Sequence, residues 1–129
     1  MVDRQNSPAA TGPSITPVID AVAFDATDPM GLAKFWQSLL GGVLRRDKHG
    51  DVELHGGPVR LDFLRVPEGK EVKNRLHLDL YIPPGSRIEM IKRAVQLGAT
   101  LAADLYDGGR RQVMRDIEGN EFCFVWGTG

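Results

Sequence analysis

Apolar and polar residues alternate from Asn74 to Ile82, which is the period of a strand with one buried face. Leu76, Leu78, Leu80 and Ile82 are expected in a core, so His77, Asp79 and Tyr81 share the opposite face. Pro83-Pro84-Gly85 stops this strand. Ser86 with Glu89 three residues on reads as a capping box, and Gly98 closes the helix that follows. The same order appears earlier in the chain. A β-compatible run from Pro17 to Phe24 leads into Asp28-Pro29, a cap followed by proline at the first helical position. Leu32, Phe35, Trp36, Leu39 and Leu40 then recur at helical spacing, and Gly41-Gly42 ends the segment.

Three short strand candidates follow each helix. After the first they are Val43 to Arg46, Val52 to His55 and Val59 to Val66. After the second they are Thr100 to Ala103, Arg111 to Arg115 and Glu121 to Trp126. Turn-type clusters separate them, among them His49-Gly50-Asp51, Gly56-Gly57-Pro58, Asp107-Gly108-Gly109 and Glu118-Gly119-Asn120. Both halves therefore follow one βαβββ plan, offset by about 56 residues. Neither copy buries its faces alone. The expected fold is α+β, with two modules, 17–66 and 74–127, joined by a linker, 67–73. They pair as a curved mixed sheet around a cleft, with the helices outside. Residues 1–16 read as a flexible tail.

Composition narrows the partners. Sixteen basic and 17 acidic residues leave a net charge of -1, which provides no field for nucleic acid or an anionic membrane. No apolar run approaches the roughly 20 residues that cross a bilayer. The N-terminus lacks a signal-peptide core. One cysteine forms no internal disulfide and fits a reducing compartment, so the cytoplasm is expected.

The candidate ligand-binding residues are those on the strand faces opposite the core: Asp62, Leu64, His77, Asp79, Tyr81 and Cys123. Each also has a structural reading. His77 would simply bond Asp79 or Tyr81, Asp62 would be a solvated carboxylate, and Cys123 a small buried hydrophobe. Phe35, Trp36, Phe63 and Trp126 sit at core spacing, and Arg45-Arg46 and Arg110-Arg111 read as solvated pairs or anion contacts at a cleft mouth. His49 and His55 are assigned no role. Phosphate-loop, Cys-x-x-Cys and Gly-x-Ser-x-Gly motifs are missing from the sequence.

The repeated βαβββ plan, the Leu76-His77-Leu78-Asp79-Leu80 strand and the closing Arg115-Asp116-Ile117-Glu118-Gly119-Asn120-Glu121-Phe122-Cys123 together resemble the glyoxalase/bleomycin-resistance/extradiol-dioxygenase family, the vicinal oxygen chelate superfamily. The resemblance spans roughly Val18 to Trp126. It implies a divalent metal at the seam, with ligand positions falling on Ala21, on or near Asp62, and on His77 and Cys123. Alanine offers no donor, and the family's glutamate is replaced by Cys123. Two function classes follow from the resemblance. One is a small-molecule binder without that metal centre, like the family's drug-sequestering members. The other is a metal-dependent lyase, isomerase or dioxygenase, its metal held by Asp62, His77 and Cys123. Homodimerisation is a further implication.

Overall fold

The structure is a computed structural model that describes residues 18–72, 74–106 and 110–126. The expected tail, the Asp107-Gly108-Gly109 turn and the end of the second module lie outside the described residues. The chain runs β1 (Ala21–Ala26), α1 (Pro29–Leu40), β2 (Val43–Arg46), β3 (Val52–His55), β4 (Arg60–Arg65), β5 (Leu78–Ile82), a 3-10 turn (Pro84–Ser86), α2 (Arg87–Gln96), β6 (Thr100–Tyr106), β7 (Arg111–Arg115) and β8 (Glu121–Trp126). Hydrogen bonding divides the strands into two four-stranded mixed sheets, ordered β1-β4-β3-β2 and β5-β8-β7-β6. The second order is the first shifted by four, so the internal repeat is a repeat of topology. In each sheet the first strand pairs in parallel with the last.

Several local expectations hold. Asp28 caps α1, its Oδ1 accepting from Gly31 N at 3.2 Å, with Pro29 in the first turn. Gly98 takes a positive φ of 111° just after α2, and a side chain there would collide with Ile117. Others are corrected. Ser86 makes no cap bond with its side chain; it donates to the Pro83 carbonyl at 2.7 Å inside the 3-10 turn, so there is no capping box. β1 starts later than expected and runs through Asp25 and Ala26, because its parallel ladder follows β4 from Ala21↔Arg60 to Ala26↔Arg65. Leu76 lies outside β5 and is 85% exposed. Parallel pairing starts at Leu78↔Phe122, so the residue that would face Leu76 is Asn120, and Asn120 is committed to a turn.

That turn joins the modules. Asp116 is buried and accepts from Glu118 N and Asn120 N at 2.9 Å, and from Asn120 Nδ2. Gly119 supplies the positive φ of 88° that the turn requires. The remaining donor to Asp116 comes from the other module: Trp36 Nε1 donates to Oδ2 at 3.0 Å, in a buried contact. One residue pair further along, Glu118 reaches back to Thr27 N, Thr27 Oγ1 and Asp28 N, at the entrance of α1. Arg93 of α2 donates to the Ser38 carbonyl of α1.

The core follows the same line. Phe63 and Phe24 have ring centroids 5.3 Å apart, Phe24 and Trp36 5.7 Å, Trp36 and Phe122 5.0 Å, and Phe122 and Phe124 5.5 Å. This aromatic row crosses from the first sheet through α1 to the second. Each of the four contacts adds roughly 0.5–1.5 kcal/mol beyond area burial.

These contacts make the Trp36–Asp116 pair the test of module coupling. Asp116→Ala strands three N–H groups of its own turn and the Trp36 indole, and is expected to cost about 3–4 kcal/mol in urea unfolding. Trp36→Phe removes one donor and is expected to cost about 1–2 kcal/mol. The double variant should be less destabilised than the sum of the two; simple additivity would show that the pair does not couple.

Candidate functional site

Two open sheet faces carry the polar residues that the core excludes. On the first sheet Ala23, Asp62 and Glu53 stand side by side across β1, β4 and β3. Asp62 is held from its own strand: Arg60 Nε donates to Oδ1 at 2.7 Å and Nη2 to Oδ2 at 3.0 Å, while the same Nη2 reaches Asp20 at 3.1 Å. The bond to Asp62 leads the interactions that raise the Arg60 pKa above its ordinary value. Leu64 is half-buried beside Asp25 on this face. Glu53 pairs with His55 at 2.7 Å, one strand further out.

On the second sheet the open face centres on Asp79, opposite Cys123, with Val113 beyond it. His77 Nδ1 lies 3.1 Å from Asp79 Oδ1, and Arg111 Nη1 donates to Asp79 Oδ2 at 2.8 Å. Burial acts to raise the Asp79 pKa, but Arg111 and then His77 outweigh it and hold the carboxyl below its usual value. A carboxylate only accepts, so Nδ1 of a neutral His77 carries the proton and Nε2 is left as an acceptor. Cys123 is 3% exposed, and burial pushes its thiol pKa up. Tyr81, at the outer end of the face, is 66% exposed.

Where the modules meet there is a cleft of about 730 Å³. Val22, Phe24 and Trp36 contribute its apolar wall, and the connection that includes Lys70, Arg75 and His77 contributes its polar one. That connection is tied to the second sheet by Glu121, which accepts from Asn74 N at 2.9 Å and from Lys70 Nζ at 3.1 Å. Burial alone would raise the Glu121 carboxyl; these two bonds hold it below its usual value. Of the six sequence-predicted residues, His77 lines this cleft. Asp79 and Cys123 stand behind His77 on the open face, Tyr81 lies further along it, and Asp62 and Leu64 belong to the other sheet.

A glyoxalase-like domain profile matches residues 21–125 of the chain. The chain belongs to the glyoxalase-like domain family. The search of curated proteins returned no match. Among solved structures, similarity extends to a variant of the fosfomycin resistance protein FosX from Listeria monocytogenes complexed with Mn(II) and 1S,2S-dihydroxypropylphosphonic acid, at 12% identity and a TM-score of 0.72, covering 88% of this chain and 93% of that one. A glyoxalase-related enzyme from Fulvimarina pelagi shows 14% identity and a TM-score of 0.68, covering 87% of this chain and 89% of its own. A glyoxalase/bleomycin resistance protein/dioxygenase family enzyme from Burkholderia phytofirmans shows 17% identity and a TM-score of 0.64, covering 83% and 96%. At these identities the likeness is one of fold.

The family's four metal positions do not fit a metal in this chain. Ala21 has no donor atom, and Asp62 is occupied by Arg60 on the first sheet. His77 and Cys123 do come together, but with Asp79 in place of Asp62. Sequence reasoning missed Asp79 as the hub, Arg111 as its partner, and Lys70 and Glu121 as anchors of the cleft wall. Only pairing across strands joins these positions. The Asp-x-Glu-Gly-Asn motif was visible, but nothing local shows that Asp116 and Glu118 bind the other module.

Glu121 generates a pH prediction. Its carboxyl lies below the ordinary value of 4.5 in the folded chain, so the stability it contributes is present above pH 4.5 and is lost as pH falls through the lower folded value. Glu121→Gln is expected to lower stability at neutral pH and to flatten the acid limb of a pH–stability curve measured by thermal unfolding. An unchanged acid limb would remove Glu121 from that role.

Proposed function

We propose that this glyoxalase-like chain binds a small organic molecule in the cleft between its modules, as a bleomycin-resistance-type binder without the family's metal centre. The observation that carries the reading is the 730 Å³ cleft, which pairs an aromatic wall at Phe24 and Trp36 with His77 at its polar edge. Its volume falls in the range of small-molecule sites, and a few convergent polar groups against apolar lining are what orient such ligands. Asp79 positions His77, leaving Nε2 to accept from a ligand N–H or O–H. The lone buried cysteine supports a cytoplasmic setting.

One observation favours a second reading, a metal-dependent lyase, isomerase or dioxygenase acting on vicinal oxygens: donor atoms of His77, Asp79 and Cys123 lie within 4.8 Å of one another. Elemental analysis of protein purified without chelator separates the two. One ion per chain, lost in His77→Ala, supports the enzyme.

The binder is tested by a thermal-shift screen of aromatic and drug-like compounds, followed by titration of a Trp126→Phe variant that leaves Trp36 as the fluorescent reporter. A cleft ligand should change Trp36 emission. Affinity should fall about 10-fold or more in His77→Ala and by less in Asp79→Asn, since one lost hydrogen bond is worth about 1.4 kcal/mol. Ligands whose affinity is indifferent to His77→Ala would overturn the reading.

A further inference from the structure

The open face of the second sheet gathers three donors of different chemistry: a ring nitrogen of His77, a carboxylate oxygen of Asp79 and Cys123 Sγ, all within 4.8 Å of one another. Imidazole, carboxylate and thiolate at such separations are the ligand types that zinc and cobalt accept in an open three-ligand site. All three belong to one module, on β5, β8 and the residue before β5, so no convergence of the two sheets is needed to assemble them.

A fourth side chain already sits in the cluster. β7 carries Arg111 opposite Val125, two residues along the strand from Val113, the partner of Cys123. From there the guanidinium donates to Asp79 Oδ2 at 2.8 Å and stands close enough to Cys123 that both raise the arginine's pKa above its ordinary value. It thus holds one of the three donors that an ion would need and stands against a second. An arginine is always charged, its fork is matched to carboxylate, and a second cation a few ångströms away is repelled.

We propose that Arg111 is a built-in cation filling a latent divalent-metal site, so that the native chain holds a guanidinium where His77, Asp79 and Cys123 would otherwise bind a zinc-type ion. The family's metal chemistry is then blocked by one arginine on β7 as well as by Ala21 and Arg60 on the first sheet. Removing the arginine should open the site. Loading it is a simple exchange: the Cys123 S–H bond breaks, its proton goes to solvent, a metal–sulfur bond forms, and water completes the coordination without any change of oxidation state.

The test uses Co(II), whose thiolate charge-transfer absorption reports a cobalt–sulfur bond directly. Full-length wild-type protein titrated at neutral pH is expected to show no such band. Arg111→Met, which keeps the apolar stem and removes the charge, should bind one Co(II) per chain with the band present, and with apparent affinity about 100-fold tighter than wild type, the upper end of effects from groups bordering a metal site. Adding Cys123→Ser should abolish the band, and adding His77→Ala should weaken binding. Arg111→Gln serves as a second uncharged variant, and circular dichroism with thermal unfolding shows that each variant is folded.

A cobalt–thiolate band in wild type that Cys123→Ser removes would overturn the proposal, whatever the variants do, and would also count against the metal-free reading of the cleft. Folded Arg111→Met and Arg111→Gln that gain no ion, beside a metal-free wild type, would overturn the proposal alone.

Discussion

The bond from the Trp36 indole to Asp116 is the constraint on which the arrangement of the two modules depends. Asp116 organises the turn between β7 and β8 through the backbone N–H groups of Glu118 and Asn120, so the turn's geometry and the position of α1 are set by one carboxylate. Burial pushes that carboxyl above its usual value, while its N–H donors act in the opposite direction. A buried acid is tolerable only when every lone pair is occupied, and here the occupants come from both modules. The stacked row Phe63, Phe24, Trp36, Phe122 and Phe124 then places the apolar weight of the core along the same line.

This joint also makes the cleft. Committing Asn120 to the turn ends the β5–β8 ladder at Leu78, which frees residues 74–77 to form a wall instead of a strand. Glu121, the first residue of β8, then secures that wall through Asn74 and Lys70. His77 reaches the cleft because the strand stops short of it. Asp79, two residues on and inside the ladder, fixes the ring from behind.

Charge on the open faces is paired within each sheet: Arg60 with Asp62 and Asp20, Glu53 with His55, and Arg111 with Asp79. These half-exposed pairs contribute little stability individually. Their consequence is chemical, because they occupy Asp62, at one of the positions where the family's metal ligands would be sought, and Asp79, which stands beside His77 and Cys123. Among the described residues no helix is long and apolar enough to cross a membrane.

Much of this was legible from the residues alone. The alternation in β4, β5 and β8, the Asp28-Pro29 helix start and the glycine stops act through local backbone preferences and two- or 3.6-residue periods, so they specified the element order, the repeated βαβββ plan and a core containing Phe35, Trp36 and Phe63. Burial of Cys123, which alternation places opposite the core, followed from the general tendency of a free cysteine to be buried. What the sequence by itself left undetermined were the relations between distant residues. Asp116 and Trp36 are 80 positions apart, and Arg111 and Asp79 are 32 apart. Local propensity carries no information about which strand lies beside which, and a hydrogen bond needs its partner within about 3 Å. Only the tertiary structure decided that Leu76 is outside the sheet and that an arginine stands among His77, Asp79 and Cys123, because packing two sheets against shared aromatic rings fixes those distances and chain order does not.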